Sequence, residues 1–136
     1  MKYDKLTYRE SVWPDLGKTI TIDFAMNEII VDSFVEGVKW CRIGSRERST
    51  IEAKLNTSRP EEWAENYFEP VMDGMMWDLK LFEGNDLVKE SGGCNGYPPN
   101  EQWQALCSLV TFCSAVTRRY GEMKPGRIRE TPGTGT

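Results

Sequence analysis

The sequence predicts an α+β domain in which an antiparallel sheet of four to six strands carries helices packed on one of its faces. Two patterns predict this class. Short runs that alternate apolar and polar residues recur between Lys5 and Ser91, as half-buried strands require. A wide apolar stripe at helical spacing follows them near the C-terminus, which is typical of a helix that covers a sheet.

The N-terminal part of the chain is rich in strand patterns. Ile20, Ile22 and Phe24 alternate with polar residues, which predicts a half-buried strand. The run 28–35 is rich in β-branched and aromatic residues, and its short connection to the previous run predicts a hairpin. Weaker patterns on either side, over 5–12 and 38–43, indicate one further strand each.

Two helices are expected in the middle of the chain. The first begins near Ser45, where serine can cap a helix and apolar residues follow at a spacing of four. The second is predicted from Ser58 to Pro70, because Ser58 suits a cap and Pro60 suits the first turn. In that second helix Trp63 and Tyr67 would lie on one face.

The clearest pattern follows Asp73. Alternation over 77–81 and a returning run over 87–91 predict a second hairpin. The Gly- and Pro-rich stretch 91–99 predicts a loop with a fixed path. Asn100 is the predicted cap of a long amphipathic helix. We therefore expect residues 1–121 to form a single α+β domain and residues 122–136 to form a flexible C-terminal tail.

Composition excludes several chemistries. The chain contains no His, so the usual general base and the usual metal ligand are missing. The four Cys form no C-x-x-C pair, so we expect no metal, no cofactor and four reduced structural thiols. The N-terminus carries no apolar signal segment and no run is long enough to span a bilayer. These features predict a cytoplasmic protein without membrane contact.

The second half of the chain resembles a widespread group of small bacterial proteins. The pattern is W-x-x-x-Y at Trp63 and Tyr67, then D-G-x-x-W-x-L from Asp73, then G-x-N-x-Y-P from Gly93, before a final helix. The similarity covers about Ser45 to Val116. The group has no established activity, so the resemblance supports the fold and implies no function. Cys94 stands where the group is expected to have a small residue such as Ser.

The 91–99 loop is the first candidate binding site. Its backbone N–H groups lead into the predicted Asn100 helix and could form an anion-binding nest. The residues assigned to this candidate site are Gly93, Cys94, Asn95, Gly96 and Tyr97. The alternative is a purely conformational role, with Tyr97 packed against Trp77 or Trp103. Cys94 next to a helix start could also be a nucleophile, but no His is present to act as its base.

Three further sets of residues are candidates for function. The acidic set consists of Glu61, Glu62, Glu65, Glu69, Asp73 and Asp78, and could serve hydrolysis or a metal, or form a solvated face. The basic set consists of Lys39, Arg42, Arg46, Arg48, Lys54 and Arg59, and with Trp40 nearby it could contact nucleic acid or an acidic partner protein. A net charge of −4 argues against nucleic acid for that set. The candidate interaction surface consists of Trp13, Phe34, Trp40 and Arg42.

These observations favour a non-enzymatic module that binds a protein partner, and they assign no catalytic residue. The first alternative is a small-molecule or anion-binding domain that uses the Gly92–Pro99 loop. The second is a carboxylate-dependent hydrolase. A two-fold homodimer through an exposed sheet edge is also compatible with the pattern.

Overall fold

The computed structural model describes residues 3–12, 17–69 and 74–123 of the chain. Its elements in chain order are β1 (Lys5–Val12), β2 (Lys18–Asp23), β3 (Glu28–Ser33), β4 (Gly37–Arg42), α1 (Ser45–Ser58), β5 (Asn66–Phe68), β6 (Met75–Glu83), β7 (Asp86–Cys94), α2 (Asn100–Tyr120) and β8 (Glu122–Met123). A short 3₁₀ helix, Pro60–Glu62, lies between α1 and β5. The protein is therefore a mixed α+β fold, as predicted.

The strands of the described residues form one sheet of eight strands in the order β5-β7-β6-β1-β2-β3-β4-β8. Neighbouring strands are antiparallel except β5 and β7, which are parallel. The prediction of four to six antiparallel strands is thus corrected in number and in this one pair. The strands that were missed are β5, with 3 residues, and β8, with only 2. Strands this short carry no periodic pattern of their own.

Burial alternates along the central strands, as the two-residue period of a strand requires. One side of the sheet, here called the core face, carries Leu6, Tyr8, Ile20, Ile22, Ile29, Val31, Leu79 and Leu81. These side chains belong to one hydrophobic cluster with Ile51 and Leu55 of α1 and with Leu106 and Leu109 of α2. The other side, here called the polar face, carries Thr7, Arg9, Thr19, Thr21, Asp32 and Asp78.

The predicted second helix over 58–70 is wrong. Helix α1 ends at Ser58, and Arg59 adopts a left-handed conformation with φ 46°. Pro60 has no N–H with which to continue the helix, so the chain makes the 3₁₀ turn and enters β5. Trp63 is then buried edge-on against Trp77, with ring centroids 5.7 Å apart.

Other boundaries shift by a few residues. Strand β7 continues to Cys94, so the predicted 91–99 loop is reduced to residues 95–99. Pro99, not Asn100, is the cap of α2. Glu122 and Met123 pair with β4 instead of leaving the sheet, and residues 124–136 of the predicted tail lie outside the described residues. Within the described part of the chain, no helix is long and apolar enough to cross a membrane.

Candidate functional site

The turn after β7 holds the loop site predicted from the sequence. Gly93 and Cys94 are the last residues of β7, and the chain reverses at Asn95. Asn95 has a φ of 59°, a left-handed conformation that asparagine tolerates better than most residues. Its N–H donates to the Met75 carbonyl oxygen and its Oδ1 accepts from the Met75 N–H, both at 3.0 Å. Asn95 therefore fastens the turn to the start of β6.

The two glycines of this turn are required by close packing against β5. A Cβ atom on Gly93 would lie 2.6 Å from the carbonyl oxygens of Gly96 and Tyr67, and a Cβ on Gly96 would overlap the Tyr67 carbonyl. The indole N–H of Trp77 donates to the Gly96 carbonyl at 2.9 Å. These contacts explain the glycines by packing, without a ligand.

Tyr97 and Cys94 are the members of this set whose side chains reach the surface. The Tyr97 ring packs against Trp103 at 4.8 Å between centroids, which agrees with the conformational reading of the loop, and 40% of the residue remains exposed. Cys94 is half-buried. It lies opposite Met76 in the ladder, which places it on the polar face.

A groove with a volume of about 480 Å³ lies on the polar face. It lies at the end of the sheet where β1 and β3 finish and where β2 and β6 begin. Its lining residues are Arg9, Ser11, Gly17, Lys18, Thr19, Asp32, Phe34, Met76, Trp77 and Asp78.

Strand register builds the floor of this groove. Asp78 is opposite Arg9, Arg9 is opposite Thr19, and Thr19 is opposite Asp32. Opposite residues in antiparallel strands point to the same face, so these four side chains form one row across β6, β1, β2 and β3. Two residues further along each strand, a second row contains Met76, Ser11, Gly17 and Phe34. Gly17 contributes no side chain between the two apolar ends of that row.

The charges of the groove are unevenly paired. Arg9 donates to Asp78 Oδ2 from both Nε and Nη2, at 3.1 and 2.8 Å. Lys18 points to the other side of the sheet, where its Nζ donates to Ser114 Oγ of α2 at 3.3 Å. Asp32 is half-buried, and its carboxylate makes no hydrogen bond or ion pair with any of the described residues. The groove therefore presents one carboxylate without a partner among the described residues.

Two large apolar side chains form the ends of the groove. Phe34, directly after β3, is 70% exposed, and Met76 of β6 is 53% exposed. Single exposed apolar residues are common on protein surfaces. Phe34 and Met76 differ from such isolated residues in that both line one groove.

The residues predicted for an interaction surface fall partly on this same face. Phe34, Trp40 and Arg42 share the polar face, because Trp40 is opposite Ile30 and Arg42 is opposite Glu28. Trp40 is half-buried and Arg42 is exposed. Trp13 lies outside the described residues. Sequence reasoning did not assign Arg9, Asp32 or Met76 to a site, and only the spacing of Asp32 and Phe34 along one strand could have indicated their common face.

The acidic set does not come together. Glu61 and Glu62 lie in the 3₁₀ helix, Asp78 belongs to the groove, and Asp73 lies outside the described residues. Glu65 and Glu69 are exposed on either side of β5. Among the residues that the structure describes, no group of three Cys, Asp or Glu side chains is arranged to hold a metal ion.

Most of the basic set is engaged within the protein. Arg48 donates to Glu52, to the Phe24 carbonyl and to Asn27 Oδ1 at 2.6–2.9 Å. Lys54 donates to Ser108 at 2.7 Å, Lys39 pairs with Glu36 at 3.5 Å, and Arg59 pairs with Glu62 at 3.5 Å. Arg46 and Arg42 are exposed on separate elements, so the set forms no common basic stripe.

The four cysteines are free thiols. Burial raises the pKa of Cys113 to about 12, and burial also raises the pKa values of Cys41 and Cys107. A raised thiol pKa keeps the group protonated and unreactive. Cys113 and Cys107 lie in α2, as predicted.

Comparison with known proteins adds no assignment. No protein-family model matches the sequence, and no curated protein matches it either. The resemblance of residues 45–116 to a group of small bacterial proteins therefore stays a resemblance. The function of the chain has to be argued from its own geometry.

Proposed function

We propose that this protein is a non-enzymatic interaction module that binds a protein partner with the polar face of its sheet. The observation that carries the proposal is the groove, whose floor is a row of polar side chains and whose ends are the exposed Phe34 and Met76. Apolar anchors with a polar surround are the usual composition of a protein interface.

We infer that both helices cover the core face and so leave the polar face for a partner. The apolar residues of α1 and α2 belong to the same cluster as the core-face residues of the strands. Lys18, whose neighbours Ile20 and Ile22 lie on the core face, also reaches Ser114 of α2. Four free thiols favour a reducing compartment such as the cytoplasm for this binding event.

The alternatives have less support. A glycoside hydrolase with two catalytic carboxylates would need them about 5–9.5 Å apart. Asp32 and Asp78 stand at opposite ends of their row, three strand spacings or about 14 Å apart at Cα, and Asp78 is bound to Arg9. A ligand site in the Gly92–Pro99 loop would need free donors, whereas the Asn95 N–H is bound to Met75.

The proposal is tested by affinity capture from the organism that encodes the protein, with three baits. One is the wild type, one is the double variant Phe34→Ser with Met76→Ser, and one is the control Val35→Ser. Val35 is 82% exposed but does not line the groove. All three should fold alike, because each substitution removes an exposed side chain.

We expect the wild type and the Val35→Ser control to recover the same specific protein. The double variant should not recover it. A second copy of this chain as the recovered protein would identify a homodimer. Equal recovery by the double variant would refute the role of the groove. No specific protein, together with a rise in melting temperature on addition of a small anion, would favour the ligand-binding alternative.

A further inference from the structure

We propose that the groove recognises a positively charged side chain, an arginine or a lysine, on a segment of the partner protein. This inference rests on the proposed function and names the chemistry of the partner segment. It follows from the combination of a carboxylate and an aromatic ring at one end of the groove.

Asp32 is the charged group that a ligand would meet. The residue is half-buried in the groove floor, and its carboxylate makes no hydrogen bond or ion pair with any described residue. A carboxylate that is partly removed from water and has no partner gains more from a cationic ligand than a fully exposed one does. Since no described residue bonds to either oxygen, the carboxylate suits the two-pronged contact that a guanidinium makes.

The two basic residues that line the groove, Arg9 and Lys18, are held away from Asp32. Arg9 is two strands from Asp32, about 10 Å at Cα, and its guanidinium donates to Asp78 from both Nε and Nη2. Lys18 is directed towards Ser114 on the other face. The Asp78–Arg9 pair is neutral as a unit, so the unbalanced charge of the floor is that of Asp32.

Phe34 supplies the second contact. It stands two residues after Asp32 and lines the same groove, so the two side chains lie about 7 Å apart along the chain. The face of an aromatic ring attracts a cation within about 6 Å of its centroid. A guanidinium or ammonium group placed against Asp32 can therefore also contact the exposed ring.

The rest of the groove suits the neighbours of that cation. Met76 at the opposite end is exposed and adaptable in shape, which suits an apolar side chain of the partner segment. The net charge of −4 for the whole chain also favours approach of a basic segment over an acidic one. The structure thus fits a segment that combines one positive and one apolar side chain.

The test is an NMR titration of the full chain with short blocked peptides, read from the amide signals of Gly17, Thr19 and Phe34. The first peptide contains leucine, arginine and leucine. The second has citrulline in place of arginine, which keeps the shape and removes the charge, and the third has glutamate. We expect the arginine peptide to bind with a dissociation constant of about 1 mM. The citrulline peptide should bind at least about tenfold more weakly, because it lacks the charge-assisted bond.

Two variants and one control locate the effect. Asp32→Asn should weaken binding of the arginine peptide about tenfold. Phe34→Leu keeps an apolar wall but removes the ring, and should weaken binding about threefold. Asp86→Asn removes an exposed carboxylate at the distant end of β7, and it should leave the affinity unchanged.

Three results would overturn the inference. They are equal affinities of Asp32→Asn and Asp86→Asn, binding of the glutamate peptide as tight as that of the arginine peptide, and no shift with the arginine peptide up to about 10 mM. The capture experiment tests the proposed function separately from this inference. A captured partner that is lost with the Phe34 and Met76 double variant but kept by Asp32→Asn would support the interaction module and refute its preference for a cation.

Discussion

The turn at 95–99 and the groove on the polar face lie close together along β6, yet they use their polar groups in opposite ways. In the turn, Asn95 and the indole of Trp77 are bonded within the protein, and the glycines are packed against β5. In the groove, Asp32 has no partner among the described residues, and Phe34 stays exposed.

The contrast teaches how residue type relates to role in this fold. Gly and Asn are conspicuous in a sequence because they permit backbone arrangements that other residues do not. In the turn, Asn95 adopts a left-handed conformation, and Gly93 and Gly96 allow the close packing against β5. The groove consists mainly of ordinary strand residues. What they can bind depends on which side chains lie beside them on the neighbouring strands. The surface that we propose for recognition therefore lies where the sequence is least distinctive.

The largest expected effect is at the packed turn. Gly96→Ala should lower the free energy of unfolding by about 3 kcal/mol or more, because its Cβ would overlap the Tyr67 carbonyl and neither backbone segment can move freely. Urea unfolding followed by far-UV circular dichroism measures the change. A loss of less than about 1 kcal/mol would show that the turn yields easily, and the contrast with the groove would then be wrong.

Gly84→Asn is the matched control for this variant. Gly84, unlike Gly96, has a positive φ, 63°, and a Cβ there would meet no atom within 4 Å. Asparagine tolerates the left-handed region, so we expect a cost of about 1 kcal/mol or less. The difference between the two glycine variants isolates close packing from backbone conformation.

The sequence predicts the periodic elements of this fold well. The strand with Ile20 and Ile22, the hairpin of β6 and β7, and the long helix α2 all follow from alternation or from a helical stripe. Strands β5 and β8 could not be predicted, because each is a short segment defined by a distant partner. Trp63 and Tyr67 were assigned to a helix because a spacing of four fits one, although tertiary burial of Trp63 decides the path.

Tyr8, a buried residue of the core, should make the free energy of unfolding depend on pH. Burial raises the pKa of the Tyr8 phenol, and Glu10, which accepts its hydrogen bond at 3.0 Å, raises it further. In the unfolded chain the phenol titrates near pH 10. Tyr8 therefore stabilises the fold below about pH 10, and this contribution falls by about 1.4 kcal/mol per unit as the pH rises further.

Comparison of the wild type with Tyr8→Phe measures this contribution. At pH 8 the variant should be less stable by about 1 kcal/mol, because the bond to Glu10 is lost. Above pH 10 the difference should shrink and then reverse, since phenylalanine has no proton to lose. The buried thiols titrate equally in both proteins and cancel. A difference that stays constant from pH 8 to 11 would contradict the burial of the phenol.

The candidate site was less predictable than the fold, for a physical reason. Arg9 and Asp78 are 69 residues apart in the chain and meet only because β1 pairs with β6 in one register. Phe34 was assigned to a surface from its type alone, but Asp32 and Met76 became relevant only when the row across four strands was known. Register is a tertiary property, and no local pattern in this sequence encodes it.

The smallest expected effect on stability is at the groove itself. Asp78→Asn breaks the ion pair with Arg9. The Asp78 side chain is 28% exposed and the Arg9 side chain is 66% exposed. Exposed pairs contribute little, so we expect a change of about 0.5 kcal/mol or less in the free energy of unfolding. Binding of the arginine peptide should nevertheless weaken roughly threefold, because a released Arg9 guanidinium competes for Asp32.

The double variant Arg9→Gln with Asp78→Asn separates this competition from direct contact. If Asp78 acts only by holding Arg9 away from Asp32, removal of both charges should restore the affinity of the wild type. Binding that stays weak in the double variant would show that Asp78 itself contacts the peptide. In that case the groove would hold two carboxylates that the ligand uses, and the cation would lie nearer the middle of the row than the end formed by Asp32 and Phe34.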